Sequence, residues 1–202
     1  MLALLGRRSS NNVQKVMWLL DELAVPFHQE DVGGPFGKTD SADYLALNPH
    51  GTVPTLVDGN FSLWESNAIL RYLAAQFEAS FYPAPLQERA AVDKWLDWQV
   101  GTLSPVFRPL YIELVREGKS RQELAAMVVA ARRLFRRLDE IVESQRYVAS
   151  DSLSLADFAI GPMMYRWYKL GLNEAGTKSL QKYLNRLERR PAFVKNVMVA
   201  LE

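Results

Sequence analysis

The stretch from Asn48 to Asn67, NPHGTVPTLVDGNFSLWESN, constrains this chain more than any other. Val53-Pro54-Thr55-Leu56-Val57 is a short apolar run with a proline near its start. Proline has no N–H and is confined to the first residue, the edge or a bulge of a strand. Asp58-Gly59 is a two-residue hairpin signal, and Phe61-Ser62-Leu63-Trp64 supplies the second strand. Glu65-Ser66-Asn67 then stands just ahead of the apolar-periodic Ile69, Leu70, Tyr72 and Leu73. That position is a helix N-terminus, where Ser or Asn can cap and unpaired N–H groups attract an anion. One compact unit therefore offers a free backbone edge near Pro54 and an anion-friendly turn at Glu65-Ser66. A small peptide carrying carboxylates fits both.

Upstream, Leu2-Ala3-Leu4-Leu5 reads as a buried strand ended by Gly6. The loop Arg7 to Asn12, RRSSNN, is rich in capping residues. Helical spacing follows at Val13, Val16, Met17, Leu20 and Leu23, and Pro26 stops it. Phe27 to Val32 reads as a second strand, so this span is a βαβ unit with parallel pairing. Gly33 to Thr39 is a loop, and a short helical piece surrounds Ala42, Tyr44 and Leu45. With the hairpin and a helix from Ser66 to about Gln76, the first domain (1–77) has the order βαβ-α-ββα.

Residues 78–85 form a linker, and Ala79 to Gln87, ASFYPAPLQ, carries its two prolines. Beyond it only helices are predicted, an all-α domain over 86–202. Ala90 to Val106 places Ala91, Trp95, Trp98 and Leu103 at helical spacing, and Phe107-Arg108-Pro109 reads as a helix break. Gln122 to Glu143 is the strongest amphipathic segment. Ala156 to Leu170 and Lys178 to Leu187 give two more helices. Ahead of the first of these, Ser154 and Asp157 have capping-box spacing, with Leu153 and Phe158 as its hydrophobic staple. These are folding signals. The aromatic residues Trp95, Trp98 and Trp167 read as helical core.

Several function classes are excluded by what the chain lacks. It has no cysteine in 202 residues, so disulfides, thiolate–metal sites and a cysteine nucleophile are ruled out. With only two histidines, His28 and His50, no multi-histidine metal site is expected. A net charge of +1 provides no field to gather nucleic acid or an anionic membrane. Hydrophobic residues at 49% and charged ones at 23% describe an ordinary soluble globular protein, for which the cytoplasm is the expected location. Neither a signal peptide nor a membrane span is predicted.

The hairpin, the Glu-Ser pair and the following Ala-Ile-Leu-Arg-Tyr-Leu together resemble the cytosolic glutathione S-transferase family. The resemblance implies a thioredoxin-like first domain that binds glutathione and an all-helical second one. Carried onto this sequence, it makes Pro54 a cis-proline and Val53 the partner of the tripeptide's main chain. Glu65 and Ser66 then hold the γ-glutamyl end. Ser10-Asn11-Asn12-Val13-Gln14-Lys15-Val16 resembles serine-type, theta-like and related bacterial members, in which a Ser-x-Asn element precedes the first helix. Ser10 is the expected hydroxyl donor to the glutathione sulfur, with Asn12 second and Ser9 third. Thr52 stands where many members carry a basic residue for the glycyl carboxylate, so His50 or Lys38 is expected to substitute.

The resemblance further implies a homodimer, glutathione as co-substrate with no other cofactor, and a hydrophobic electrophile bound by the helical domain. Phe107, Arg108, Tyr111 and Tyr165 are the expected wall for that second substrate. The reaction is transfer to an electrophile, or reduction of a peroxide or disulfide. Two other functions compete. Ser9-Ser10 resembles the start of a glutathione-dependent maleylacetoacetate-type isomerase, but Asn11 stands where its cysteine belongs. A noncatalytic scaffold of the same fold would have no need of both Val53-Pro54 and Glu65-Ser66.

Overall fold

The computed structural model describes residues 1–174 and 176–201. The expected second domain, 86–202, includes Ala175 and Glu202, which lie outside the described residues. Two compact units divide the chain: Met1–Ser80 together with Ala192–Val199, and Phe81–Pro191 with the last residues of the chain. The first unit holds β1 (Leu2–Leu5), α1 (Asn11–Glu22), β2 (Phe27–Glu30), α2 (Ala42–Leu47), β3 (Thr55–Asp58), β4 (Phe61–Trp64) and α3 (Ser66–Gln76). The second holds α4 (Leu86–Trp98), α5 (Ser104–Val115), α6 (Ala125–Ser144), α7 (Leu155–Lys169) and α8 (Lys178–Leu187). A last helix, α9 (Pro191–Val197), begins at the end of the second unit and continues into the first.

The sheet order is β2-β1-β3-β4. β1 and β2 are parallel, as a βαβ crossover requires, and β3 runs antiparallel to both β1 and β4. Pro54 stands just ahead of β3, where its missing N–H costs no ladder bond. In the hairpin Asp58 faces Phe61, leaving Gly59-Asn60 as a two-residue turn with Gly59 at φ 59°. Leu5 pairs with Thr55, and Thr55 pairs with Trp64. This register brings the ends of β1, β2 and β4 and the start of β3 to one end of the sheet.

Gly6 closes that end tightly. It has φ 153°, and a Cβ there would lie 2.6 Å from Val13 Cγ2, 3.1 Å from Val53 Cβ and 3.6 Å from Pro54 Cα. The exit of β1, the first turn of α1 and the Val53-Pro54 step meet where no side chain fits.

α1 departs from the single apolar stripe that its spacing predicts. Every residue from Val13 to Leu20 is buried, Gln14 and Lys15 included. α3 packs against one of its faces, and α9 returns to cover another. Trp18 meets Phe193 edge to face with ring centroids 4.8 Å apart, and Asp21 accepts from Lys195 (3.0 Å) and Asn196 (2.6 Å). α9 was not expected from the sequence. Only seven residues long, it draws its stability from partners at the opposite end of the chain.

In the second unit Phe135 stacks on Trp167 at 4.2 Å, and Phe107 meets both edge-on. The predicted break at Phe107-Arg108-Pro109 is absent, because Pro109 lies inside α5 while Phe107, Leu110 and Tyr111 bury beneath it. The irregularity falls earlier, in a single π-helical turn at Gln99–Leu103. The buried face of α4 is Val92 and Leu96, continuing to Gln99 and Leu103. Trp95 and Trp98 are half-exposed and pack edge to face on each other at 5.4 Å. The face predicted from their bulk is thus one residue out of step, and only Trp167 of the three is core.

α7 is buried from Leu155 through Trp167, and its start carries the expected capping box. Asp157 has no exposed surface, and its carboxylate accepts from Ser154 N–H (2.8 Å), Ser154 Oγ (3.1 Å), Val148 N–H (2.9 Å) and Tyr183 Oη (2.7 Å). Burial pushes this carboxyl above its ordinary value, against those hydrogen bonds. Leu153 and Phe158, the staple, are both buried.

Ser154→Ala is expected to lower stability by about 0.5–2 kcal/mol. Asp157→Ala should cost more, on the order of 3 kcal/mol, because three residues lose their buried acceptor together. Thermal or denaturant melts check both, and an Asp157→Ala melt equal to the parent's would remove the carboxylate from this account. Gly6→Ala is expected to cost about 1–3 kcal/mol through overpacking against Val13 and Val53, read the same way.

Candidate functional site

The loop leading into β3 is braced from below. Buried Asn48 donates to Thr52 O (2.8 Å) and Thr55 Oγ1 (3.1 Å), and Tyr44 Oη donates to Thr52 O at 2.6 Å. Burial pushes the Tyr44 phenol up, opposed by hydrogen bonds to Thr55 and Asn48. These bonds hold the neighbouring Val53–Pro54 step, whose peptide bond is cis. Among the described residues neither the N–H nor the C=O of Val53 has a hydrogen-bond partner. An extended peptide can therefore pair with it as an added strand pairs with a free edge.

Ser10 occupies the N-cap of α1, yet its side chain makes no capping bond. Neither its hydroxyl nor the Asn12 amide has a hydrogen-bond partner among the described residues. The first N–H groups of α1 have no intrahelical acceptor, and the helix dipole adds positive potential there. Asn11, which the sequence reading passed over, has both amide atoms shielded from solvent and unpartnered among the described residues. The Ser9 hydroxyl is also shielded. Arg8 turns toward β2, donating to Gln29 Oε1 at 3.1 Å. Arg7 lies over the glycine loop, its side chain within 3.0–3.3 Å of where a Gly34 Cβ would stand.

At the neighbouring helix mouth, Glu65 rather than Ser66 takes the N-cap position of α3, with φ 69° and an exposed side chain. Ser66 is the first helical residue and is buried. Its Oγ lies 3.2 Å from Lys15 Nζ, which also stands 3.3 Å from Asn67 Oδ1. Lys15 is only 1% exposed. Sequence reasoning missed it, because a lysine inside a helix ordinarily marks the solvent face. The available signal was its place between Val13 and Val16 on a helix with no clear polar stripe.

Of the two expected replacements for a base at Thr52, Lys38 is held by the Glu30 carboxylate at 2.7 Å. His50 is exposed, its ring edge-on to Trp64 at 4.6 Å, and among the described residues its ring nitrogens have no hydrogen-bond partner. The sheet register and the Lys15–Ser66 bond thus gather Ser10, Val53, Pro54, Glu65 and Ser66 at one end of the first unit. Of the expected second-substrate residues, Phe107, Tyr111 and Tyr165 are buried within the helical unit, and Arg108 is exposed. Arg166 spans the Tyr111 ring at 5.0 Å. Among the described residues no group of three or more His, Cys, Asp or Glu is placed to hold a metal, and no helix is long and apolar enough to cross a membrane.

Residues 4–81 match the family model of the glutathione S-transferase N-terminal domain, and residues 93–191 that of its C-terminal domain. Glutathione S-transferase GstB of Escherichia coli K12 is 38% identical over 206 residues, covering 98% of this chain and 99% of that one. Glutathione S-transferase D6 of Drosophila melanogaster is 31% identical over 79% of this chain and 82% of that one. The crystal structure of a theta class glutathione S-transferase from Xanthomonas axonopodis pv. citri, with glutathione bound, superposes with a TM-score of 0.94 at 39% identity, covering 100% of this chain and 99% of that one. With its two domain matches and relatives at 38% and 31% identity, the chain belongs to the glutathione S-transferase family.

Proposed function

We propose that this protein is a glutathione transferase that binds the tripeptide extended beside Val53 and activates its thiol with the Ser10 hydroxyl. The observation that carries this reading is that Ser10 sits at a helix N-terminus with its hydroxyl uncommitted, at the same sheet end as the unpaired Val53 amide. The cysteinyl N–H and C=O of glutathione pair with the Val53 C=O and N–H. The γ-glutamyl ammonium meets the Glu65 carboxylate, and its carboxylate meets Ser66 and the free N–H groups that open α3. The glycyl carboxylate goes to His50, since the Lys38 charge is already balanced by Glu30.

This docking sets the sulfur at the mouth of α1. A free thiol titrates at about 8.5. A hydroxyl donating to sulfur, together with the helix N-terminus, favours the thiolate and lowers that value. The proton leaves to solvent, and the thiolate attacks an electrophilic centre, forming a carbon–sulfur bond while the leaving group departs with its electron pair. A hydrophobic electrophile, a peroxide or a disulfide are the substrates this nucleophile serves. Arg108 is the expected second-substrate residue with an exposed side chain, whereas Phe107 is packed against Phe135 and Trp167. The same reading makes the working form a homodimer.

Retention on immobilised glutathione, followed by turnover of a halogenated nitrobenzene, a peroxide and a disulfide, tests the function. Binding without turnover of any of them would make the protein a scaffold, and failure to bind would end the reading. Ser10→Ala is expected to raise the thiol pKa of bound glutathione by about one to two units, the worth of a hydrogen bond to a charged group. Glutathione affinity should change little. Ultraviolet titration of the thiolate in the complex measures the shift, and an unmoved value would transfer the role to Asn12.

A further inference from the structure

We infer that Lys15 is a positioning residue for the γ-glutamyl carboxylate, acting through Ser66 from inside the fold. The inference rests on the glutathione reading above and assigns to that site a buried group given no role in it so far. An ammonium has three donors and no acceptor, so in the 3.2 Å contact Lys15 Nζ donates and Ser66 Oγ accepts. The Ser66 hydroxyl is left with its own hydrogen to donate. That hydrogen faces away from the ammonium, so it is fixed as a donor to an acceptor arriving at the helix mouth. Asn67 Oδ1, 3.3 Å from the same Nζ, is likewise fixed as the acceptor end of its amide. The first two residues of α3 therefore have their polar groups oriented before any ligand arrives.

Charge adds to orientation. The ammonium is shielded from water, where its field is screened far less than that of a surface lysine. It stands directly behind a helix N-terminus that already favours an anion. α1 is buried on every face around this position, so the ammonium is held away from water at a cost that its hydrogen bonds to Ser66 and Asn67 help offset.

The test compares glutathione with 4-aminobutyryl-cysteinylglycine, which lacks only the γ-glutamyl carboxylate. The parent protein should prefer glutathione. Lys15→Met, which leaves Ser66 Oγ and Asn67 Oδ1 without this donor, is expected to lose about 10- to 100-fold in glutathione affinity, the range of a hydrogen bond to a charged group. The loss should appear in KM with kcat largely kept, and the preference over the analogue should vanish. Lys15→Arg should restore most of it. Equal weakening of both ligands would show a merely structural lysine and overturn the inference, as would an unchanged preference in Lys15→Met. Should that variant not fold, preference kept by Lys15→Arg and reduced in Lys15→Gln supports the assignment, and equal preference in the two overturns it. A parent protein with no preference for glutathione fails the glutathione reading itself, a result distinct from either.

Discussion

The register of β3, held antiparallel between β1 and β4, fixes where each binding group of the first unit stands. Thr55 faces Leu5 on one side and Trp64 on the other. The residues just outside those pairs are Gly6, Pro54 and Glu65, so three loops far apart in sequence emerge side by side. A one-residue slip would turn Leu56, which is buried, toward the opposite face and carry Pro54 and Glu65 out of line with Gly6. Gly6 then limits how far the loops can relax, because any side chain there would collide with Val13 and Val53. The site is rigid because the sheet is in register.

α1 carries that rigidity to its own N-terminus, where Ser10 stands. A surface helix would be anchored on one face, whereas this one is packed by both α3 and α9, with Asp21 tied to Lys195 and Asn196 near its far end. Its N-terminus is held without help from its own cap. A Ser side chain at an N-cap ordinarily contributes about 0.5–2 kcal/mol by bonding the backbone, and Ser10 does not make that bond. The helix forgoes local stability and draws it from tertiary packing, which leaves an oriented hydroxyl at a positive helix end.

Most of the first unit was legible in the sequence because its signals are local. Pro54, Asp58-Gly59 and the switch from strand to helical period at Ser66 each act over a few residues, and the fold obeyed them. The signals failed where partners are distant. α9 is too short to announce itself, and its reason to form is Trp18, at the other end of the chain. Lys15 looked like solvent face because nothing nearby shows that α3 covers it. On α4 the bulk of Trp95 and Trp98 outweighed the smaller Val92 and Leu96, although only the latter pair reaches the core. Phe107 drew a functional reading from an adjacent proline that the helix simply absorbs.

Three serines at three helix starts show where local reading ends. Ser154 shares the buried Asp157 carboxylate through its N–H and its hydroxyl, and its role is spent on the fold. Ser10 has the same kind of position and no such partner, so its hydroxyl remains available. Ser66 stands one residue further in, where a buried ammonium takes its lone pair and leaves its proton. In sequence, each is a serine ahead of an apolar run. What separates the three is the group the fold brings up behind the hydroxyl: a carboxylate for the first, none for the second, an ammonium for the third. Helix N-termini make all three positions attractive to anions, and only the tertiary partner decides whether that attraction is satisfied internally or left for a ligand.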